Sequence, residues 1–307
     1  MSGVITTGNI SPLLVKGVKN VFGQAYQAHV EQWPMLFNVE ESTQAFEQDQ
    51  QFEGFGLVPV KQEGAGVAYD SQQAGFSPKF TNLTYAKGFI VTKEAMADNL
   101  YNLFSKRARA LAFSMQQTKE NVGANVYNRG FNSAFLMTGG DGVELFSQLH
   151  INGPSDATTF SNELTVPAAL SETSIEDLLI QINEATDPRG LRIALRGERL
   201  IVPPKLGFEA ERILNSALQN DTGNNAINAI RKTGMLPSGH MVNNYLTSTT
   251  AWFIKTNAPD GMKMMNRQSV DFDQDMDFGT SNARFKADER YVAGWSDPRG
   301  AYGSAGV

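Results

Sequence analysis

The chain has 307 residues, of which 41% are hydrophobic and 19% are charged, and its formal net charge is −6 at pH 7. This acidic balance argues against a broad nucleic-acid-binding surface, because phosphates require clustered Lys and Arg. The absence of cysteine excludes disulfides, thiolate catalysis and cysteine-ligated zinc.

The length suits one large or two modest domains with a substantial core. The first residues lack the basic and then apolar pattern of a signal peptide, and no later apolar run reaches the length of a membrane helix. We therefore expect a globular protein that is made in a cytoplasm and has no membrane partner.

Residues 1–50 have the pattern of an arm. Leu13, Leu14, Val18, Val21 and Phe22 recur at helical spacing, and an apolar cluster at residues 32–37 follows, with a proline inside it. This pattern predicts a short helix and then a docking segment.

Residues 51–91 have the pattern of a long β-hairpin. Two extended pieces, residues 56–60 and 83–91, enclose a middle that is rich in Gly, Gln and Ser. We predict an outgoing strand, a flexible tip near residues 63–78 and a returning strand. Because a two-stranded ribbon has too little core to be stable alone, we expect it to lie on another surface, such as that of a second subunit.

Residues 93–129 predict one amphipathic helix of roughly 55 Å. Thr92 is placed to cap its first turn, and Gly130 is placed to end it in the left-handed conformation. The apolar stripe consists of Met96, Leu100, Phe104, Ala108, Leu111, Met115 and Val122. The opposite face carries a basic cluster, Lys106, Arg107 and Arg109. It suits either a nucleic-acid contact or, as we prefer, a solvated face or an ion pair with an acidic partner surface such as the strand around Asp273.

The segment after residue 165 predicts a compact α/β lobe. Ser174, with Asp177 three residues later, marks a helix start, residues 200–202 a buried strand, and residues 205–218 a further helix. Strands are predicted at residues 241–246 and 251–255, and a last strand at residues 290–295. The side chains expected to be buried by the two helices are Ile175, Leu178, Leu179, Ile182, Ala210, Ile213, Leu214 and Ala217.

The strongest candidate for a chemical site is a row of alternating carboxylates, Asp271, Asp273, Asp275 and Asp277. A calcium loop starting at Asp273 would need Gly and Glu where Phe278 and Arg284 stand, so the EF-hand template fails. Alternation instead predicts a strand with Phe272, Met276 and Phe278 on one face. A metal-dependent hydrolase that uses Asp271, Asp273 and Asp275 remains the less favoured alternative.

Other catalytic patterns are incomplete. His29, His150 and His240 lack metal-ligand spacing, and the sequence after Gly294 has Pro298 where a nucleophile elbow requires glycine. Gly64 and Gly66 lack the third glycine of a dinucleotide fingerprint. We therefore predict no catalytic residue, cofactor or metal site.

The order of these elements, together with several short phrases, resembles the major capsid proteins of tailed bacteriophages, which have the Hong Kong 97 fold. The phrases are residues 87–94 (KGFIVTKE), 142–147 (GVELFS) with His150, 200–204 (LIVPP) and 297–300 (DPRG). The resemblance covers nearly the whole chain and implies an α+β fold. Its parts would be an arm and lead-in (residues 1–50), an extended loop (51–91), a peripheral domain with the spine helix (92–165 and 267–307) and an axial domain (166–266).

The resemblance implies a structural protein, not an enzyme. It would assemble into the pentamers and hexamers of an icosahedral head that encloses double-stranded DNA, in a virion formed in a bacterial host's cytoplasm. Its expected partners are copies of itself, a separate scaffolding protein, a portal protein and a decoration protein. An encapsulin-like compartment is the alternative with the same fold.

The candidate intersubunit contacts lie in three places. The loop contributes Lys61, Tyr69, Phe76 and Lys79, the long helix Arg107 and Arg109, and the acidic strand Asp273 and Asp275. Some relatives cross-link a loop lysine to a neighbour's asparagine, but no motif here supports that chemistry for Lys61, Lys79 or Lys87.

Overall fold

The computed structural model describes residues 11–98, 101–154, 156–219 and 226–307. The helices are α1 (Ser11–Gln27), α2 (Lys93–Ala97), α3 (Tyr101–Asn128), α4 (Glu172–Asn183), α5 (Gly207–Asn215) and α6 (Ala229–Thr233). The strands are β1 (Asn38–Glu41), β2 (Phe46–Gln48), β3 (Lys79–Thr81), β4 (Leu83–Val91), β5 (His150–Gly153), β6 (Asp156–Phe160), β7 (Gly197–Val202), β8 (His240–Val242), β9 (Trp252–Thr256), β10 (Met262–Met276), β11 (Ala283–Trp295) and β12 (Ala301–Ser304).

Within these described ranges the strands form two four-stranded sheets and two strand pairs. The first sheet has the order β1-β10-β11-β4, and the second has the order β12-β9-β7-β8. The pairs are β2 with β3 and β5 with β6. Helices and strands alternate irregularly along the chain, so the fold is of the α+β type.

One face of the first sheet is covered by α1 and α3. The buried stripe of α3, including Phe104, Ala108 and Met115, packs in one core with Phe272 and Phe285 of the sheet. Its side chains recur every three or four residues, which is the spacing that keeps them on one face of a helix. The predicted burial of this stripe is confirmed for Phe104, Ala108, Leu111 and Met115.

The second sheet is covered by α4 and α5. Ile175, Leu178, Leu179 and Ile182 of α4 and Ala210, Ile213 and Leu214 of α5 are buried, as predicted. The helix start is wrong by three residues, because Ser171 is the N-cap and forms a capping box with Ser174. Helix α5 ends at Asn215, which leaves the predicted core residue Ala217 exposed.

A third core joins the two sheets. It unites Trp295 and Met264 of the first sheet, Ile201 and Phe253 of the second, and Tyr127 of α3. The sheets therefore share buried side chains, and the two lobes are packed directly against each other.

The single helix predicted for residues 93–129 is described as α2 and α3, and residues 99 and 100 between them lie outside the described part of the chain. The predicted buried position of Leu100 lies there too, and the side chain of Met96 is likewise not described. Thr92 Oγ1 accepts a hydrogen bond from the Ala95 amide at 3.4 Å, consistent with the predicted cap. The role predicted for Gly130 is wrong, because its φ is not positive. A Cβ there would lie 2.5 Å from the Phe146 ring, so close packing is what requires glycine.

The predicted hairpin of residues 51–91 is only partly correct. The returning strand exists as β4, but it pairs with β11 and not with residues 56–60, which form no strand. Pro59 in the middle of that segment cannot donate a ladder hydrogen bond, which explains the error.

The end of the chain also differs from the prediction. Residues 290–295 belong to the longer strand β11, and the last strand is β12, which pairs with β9 in the second sheet. The predicted domain boundary after residue 266 falls inside β10. Helix α6 was not predicted, and residues 220–225 of the asparagine-rich segment lie outside the described residues.

Candidate assembly interface

The loop segment, residues 49–78, leaves the body of the protein as a narrow antiparallel ribbon. Asp49 N donates to Pro78 O at 2.9 Å, Gln51 N to Phe76 O at 2.9 Å, and Glu53 N to Gln73 O at 3.0 Å. At its base, Ser77 N donates to Gly139 O at 3.0 Å, and the side chain of Gln51 donates to Ser296 O at 2.6 Å. The body of the chain thus fixes where the ribbon starts.

The distal part of the loop segment, residues 54–72, exposes apolar side chains. Leu57, Val58, Val60 and Tyr69 have 81%, 93%, 95% and 96% of their surface accessible. Single exposed apolar residues are common, but a concentration of nearly fully exposed ones is typical of an interaction surface.

The loop segment is also tied to the turn that follows α4. Arg189 Nη1 lies 2.5 Å from Asp70 Oδ2, and Arg189 Nη2 donates to Ser71 O at 2.7 Å. Asp70 Oδ2 further accepts the Gly56 amide at 3.0 Å. That amide and then the Arg189 guanidinium lower the pKa of Asp70. The carboxylate joins the two sides of the ribbon and holds them to the second lobe.

The predicted loop contacts fall into two groups. Lys61 and Tyr69 are exposed in the distal part. Phe76 and Lys79 are half-buried at the base, where the Lys79 ammonium lies 4.0 Å from the centre of the Phe46 ring. Lys61 and Tyr69 are thus exposed before assembly, whereas Phe76 and Lys79 are partly covered by their own chain, and the role of all four in intersubunit contact stays a prediction.

The predicted basic and acidic contacts lie on opposite faces of the first sheet. Arg107 and Arg109 are exposed on α3, and Arg107 Nη1 donates to Ile90 O at 3.1 Å. Phe272 and Ala287 are paired and face the α3 core, so the next pair, Asp273 with Lys286, faces away from it. Contact between the two groups would need a second copy of the chain and stays a prediction.

Cations of the same subunit lie among the acidic row. Arg284 Nη2 donates to Asp277 Oδ2 at 2.6 Å, and Lys19 Nζ lies 3.8 Å from Asp271 Oδ1. Asp273 and Asp275 are opposite Lys286 and Arg284 in the β10–β11 ladder, and the Lys286 ammonium lies 3.9 Å from Asp288. The described residues hold no group of three or more His, Asp or Glu side chains that could bind a metal ion. The arrangement is a strand surface on which acidic and basic side chains lie side by side.

Sequence reasoning missed two features of the candidate interface, namely the turn after β10 and an ion pair at the loop segment. Phe278 was assigned to the same strand face as the buried Phe272, but β10 ends at Met276 and Phe278 is fully exposed in the following turn. Met276, assigned to that face as well, is 47% exposed. Gly279 directly after Phe278 was the available signal for that turn. The Asp70–Arg189 pair joins residues far apart in sequence and has no local signal.

The helices that the structure describes include none that is long and apolar enough to cross a membrane. The comparison that decides the identity is a family model for phage capsid proteins, which matches residues 78–304. The chain belongs to the phage capsid protein family. The protein is therefore a structural component of the virion capsid and not an enzyme.

Solved structures support the fold of this phage capsid protein. The capsid of Myoviridae phage XM1 matches with a TM-score of 0.53 and 10% identity over 100% of both chains. The capsid of a native GTA particle matches with a TM-score of 0.57 and 9% identity over 89% of this chain and 90% of the other. A virus-like particle from Pyrococcus furiosus matches with a TM-score of 0.53 and 11% identity over 94% and 98%. No curated protein matches the sequence significantly.

Proposed function

We propose that this phage capsid protein builds an icosahedral head from pentamers and hexamers around double-stranded DNA, and that residues 54–72 form a principal contact with the neighbouring subunit. The observation that carries the proposal is the cluster of Leu57, Val58, Val60 and Tyr69, each more than four-fifths exposed on a ribbon without a core of its own.

The energetics favour burial of this cluster against a neighbour. Fully burying one Val or Leu side chain is worth about 1.5–3 kcal/mol. The loop of one subunit would meet a different surface of the next, and such heterologous contacts form a ring when the rotation between successive subunits closes. Repeated around each ring, a modest contact contributes many times to one shell.

The roles of the separate parts of the subunit belong to the same proposal. The arm, extended loop, peripheral domain and axial domain keep the roles that the resemblance implies, with the axial domain meeting its copies around the symmetry axes. The net charge of −6 suits a container that encloses DNA without gripping it. Scaffolding, portal and decoration proteins are proposed partners on the resemblance alone.

An encapsulin-like compartment is the second candidate. The fold similarity to the virus-like particle from Pyrococcus furiosus is compatible with it, because a phage head and an encapsulin-like compartment share one fold. The family match favours the phage head.

Electron microscopy of the purified protein tests the proposal. We expect closed shells with icosahedral symmetry. A protein that stays monomeric under all assembly conditions, including co-expression with the neighbouring phage genes, would contradict it. Nuclease-protected DNA in particles isolated from an infection separates the phage head from a protein-filled compartment.

A further inference from the structure

Residues 17–33, which we call the N-terminal clasp, lie across α3 and the first sheet. The clasp contains the second half of α1 and the turn that ends at Trp33. Its own side chains Val18 and Phe22 are buried, and the Phe22 ring stacks on Phe272 with centroids 4.6 Å apart. These apolar contacts fix the position of the clasp.

The clasp also covers a fully buried carboxylate from β11, Glu289. The Tyr26 hydroxyl donates to Glu289 Oε2 at 3.1 Å, and Lys119 Nζ lies 3.6 Å from the same oxygen. Lys119 is itself enclosed, with Nζ 4.6 Å from the centre of the Trp33 ring. Two of these groups, Tyr26 and Trp33, belong to the clasp, so Glu289 is sealed only while the clasp is in place.

A second buried carboxylate, Glu120 of α3, lies under the other end of the clasp. Its Oε1 accepts the Gln32 amide at 2.6 Å and lies 3.8 Å from His29 Nε2. The neighbouring Gln116 donates to Tyr26 O at 3.1 Å and to Glu31 Oε1 at 3.2 Å. The clasp therefore satisfies this carboxylate mainly through its own backbone.

In each of the two carboxylates, only one oxygen has a hydrogen-bond partner in the part of the chain that the structure describes. Glu120 Oε2 and Glu289 Oε1 are buried without a hydrogen-bond donor from the described residues. An ionised carboxylate in such a place is costly, whereas a protonated one is much less so. Glu31 adds a further negative charge close to both sites.

Burial raises the pKa of Glu120, although the amides of Gln32 and Trp33 and the charge of His29 oppose the shift. Burial likewise raises the pKa of Glu289, against the lowering effects of Lys119 and Tyr26. For an acid whose pKa is raised by folding, the stabilisation is complete below the ordinary value of 4.5 and is lost as the pH rises through the raised value.

We propose that the N-terminal clasp is a proton-operated device, which holds α3 and β11 tightly when Glu120 and Glu289 are protonated and loosens when they are ionised. Opening lets water reach both carboxylates, and this exposure favours the ionised forms. The inference concerns the subunit alone and does not depend on the proposed mode of assembly.

Other titratable groups face the same carboxylates. Around Glu289 these are Tyr26 and Glu31 of the clasp, Lys119 of α3, Tyr85 of β4 and Tyr291 of β11. Around Glu120, His29 and Glu31 of the clasp and Tyr245 take part. Among these groups His29 lies beside Glu120, with Nε2 3.8 Å from Oε1.

Hydrogen exchange of the full chain, measured by mass spectrometry and corrected for intrinsic exchange, tests the proposal. Between about pH 5 and about pH 8 we expect protection of the clasp to fall severalfold, because carboxyls whose pKa folding raises become ionised over this range. Peptides from β12 (Ala301–Ser304) serve as the internal reference and should keep their protection. Unchanged protection of the clasp, or an equal loss in β12, would overturn the proposal.

Variants test whether the two carboxylates, and not other groups, cause the pH dependence of clasp protection. Glu120→Gln combined with Glu289→Gln should make clasp protection independent of pH, while the exposed control Glu41→Gln should keep the wild-type response. If the double variant does not fold, Tyr26→Phe and His29→Gln are measured instead. Tyr26→Phe removes a donor to ionised Glu289, so the loss of clasp protection should become larger and extend to higher pH, and His29→Gln should retain a pH response. A response that is abolished by His29→Gln and unaffected by Tyr26→Phe would refute the role of the carboxylates.

Discussion

Asn162 donates a hydrogen bond from Nδ2 to the carbonyl oxygen of Leu145 at 2.6 Å, and both residues are completely buried. The same amide group lies 3.0 Å from Pro298 O and 3.1 Å from Ala301 O, and Asn162 Oδ1 accepts the Ser147 amide at 2.9 Å. One side chain therefore ties the segment after α3 to the approach of β12, where the two sheets meet.

Asn162→Ala should destabilise the subunit by about 2–4 kcal/mol, because several buried backbone groups would lose their partner at once. Urea unfolding of the unassembled subunit measures this change. Asn121→Ala is the control, since Asn121 is exposed and makes one local hydrogen bond, to Gln117 O at 2.7 Å. Equal unfolding midpoints for the two variants would contradict the role assigned to Asn162.

The pair Asp70–Arg189 should affect the loop segment far more than global stability. Both side chains are partly exposed, and surface ion pairs typically contribute about 0–1 kcal/mol. We expect Arg189→Asp to leave the melting temperature nearly unchanged but to increase proteolytic cleavage within residues 54–72. The exchanged pair, Asp70→Arg with Arg189→Asp, should restore part of the protection. Cleavage at the wild-type rate in the single variant would show that the pair does not hold the ribbon.

Local periodicity was sufficient to predict much of this fold. The buried face of α3 and those of α4 and α5 follow from spacings of three and four residues, and Leu200, Ile201 and Val202 follow from an uninterrupted apolar run. These features depend on neighbours in sequence, so one sequence is enough.

Which strands pair with each other could not be predicted in the same way. The sequence of β4 reads as a strand, but nothing in it specifies pairing with β11, which begins almost two hundred residues later. The same limit applies to the candidate interface. Lys61 and Tyr69 stay predicted contacts that rest on the composition of the loop, whereas the contact of Lys79 with Phe46 joins residues that are far apart in sequence.

Gly130 offers a test of a position whose role the sequence misrepresents. Because φ is not positive there, the backbone itself would accept alanine, and the obstacle is the Phe146 ring at 2.5 Å from an added Cβ. Gly130→Ala should cost about 1–3 kcal/mol through overpacking. Gly66→Ala is the matched control, since a Cβ there meets nothing within 4 Å. Rescue of Gly130→Ala by Phe146→Leu would establish the ring as the cause, and a variant as stable as wild type would refute it.

Replacement of the exposed apolar side chains of the loop segment tests the proposed contact directly. Leu57→Ser, Val58→Ser and Val60→Ser together should leave subunit stability unchanged, because these side chains are at least 81% exposed before assembly. Shell formation, followed by light scattering and electron microscopy, should be strongly impaired, since each ring position loses the same apolar contact. Val166→Ser, at a side chain that is 72% exposed outside the loop, is the control for a general loss of apolar surface. A triple variant that forms shells at the wild-type concentration would show that residues 57–60 do not contribute to the contact between subunits, and the role would then pass to Tyr69 and Lys61 alone.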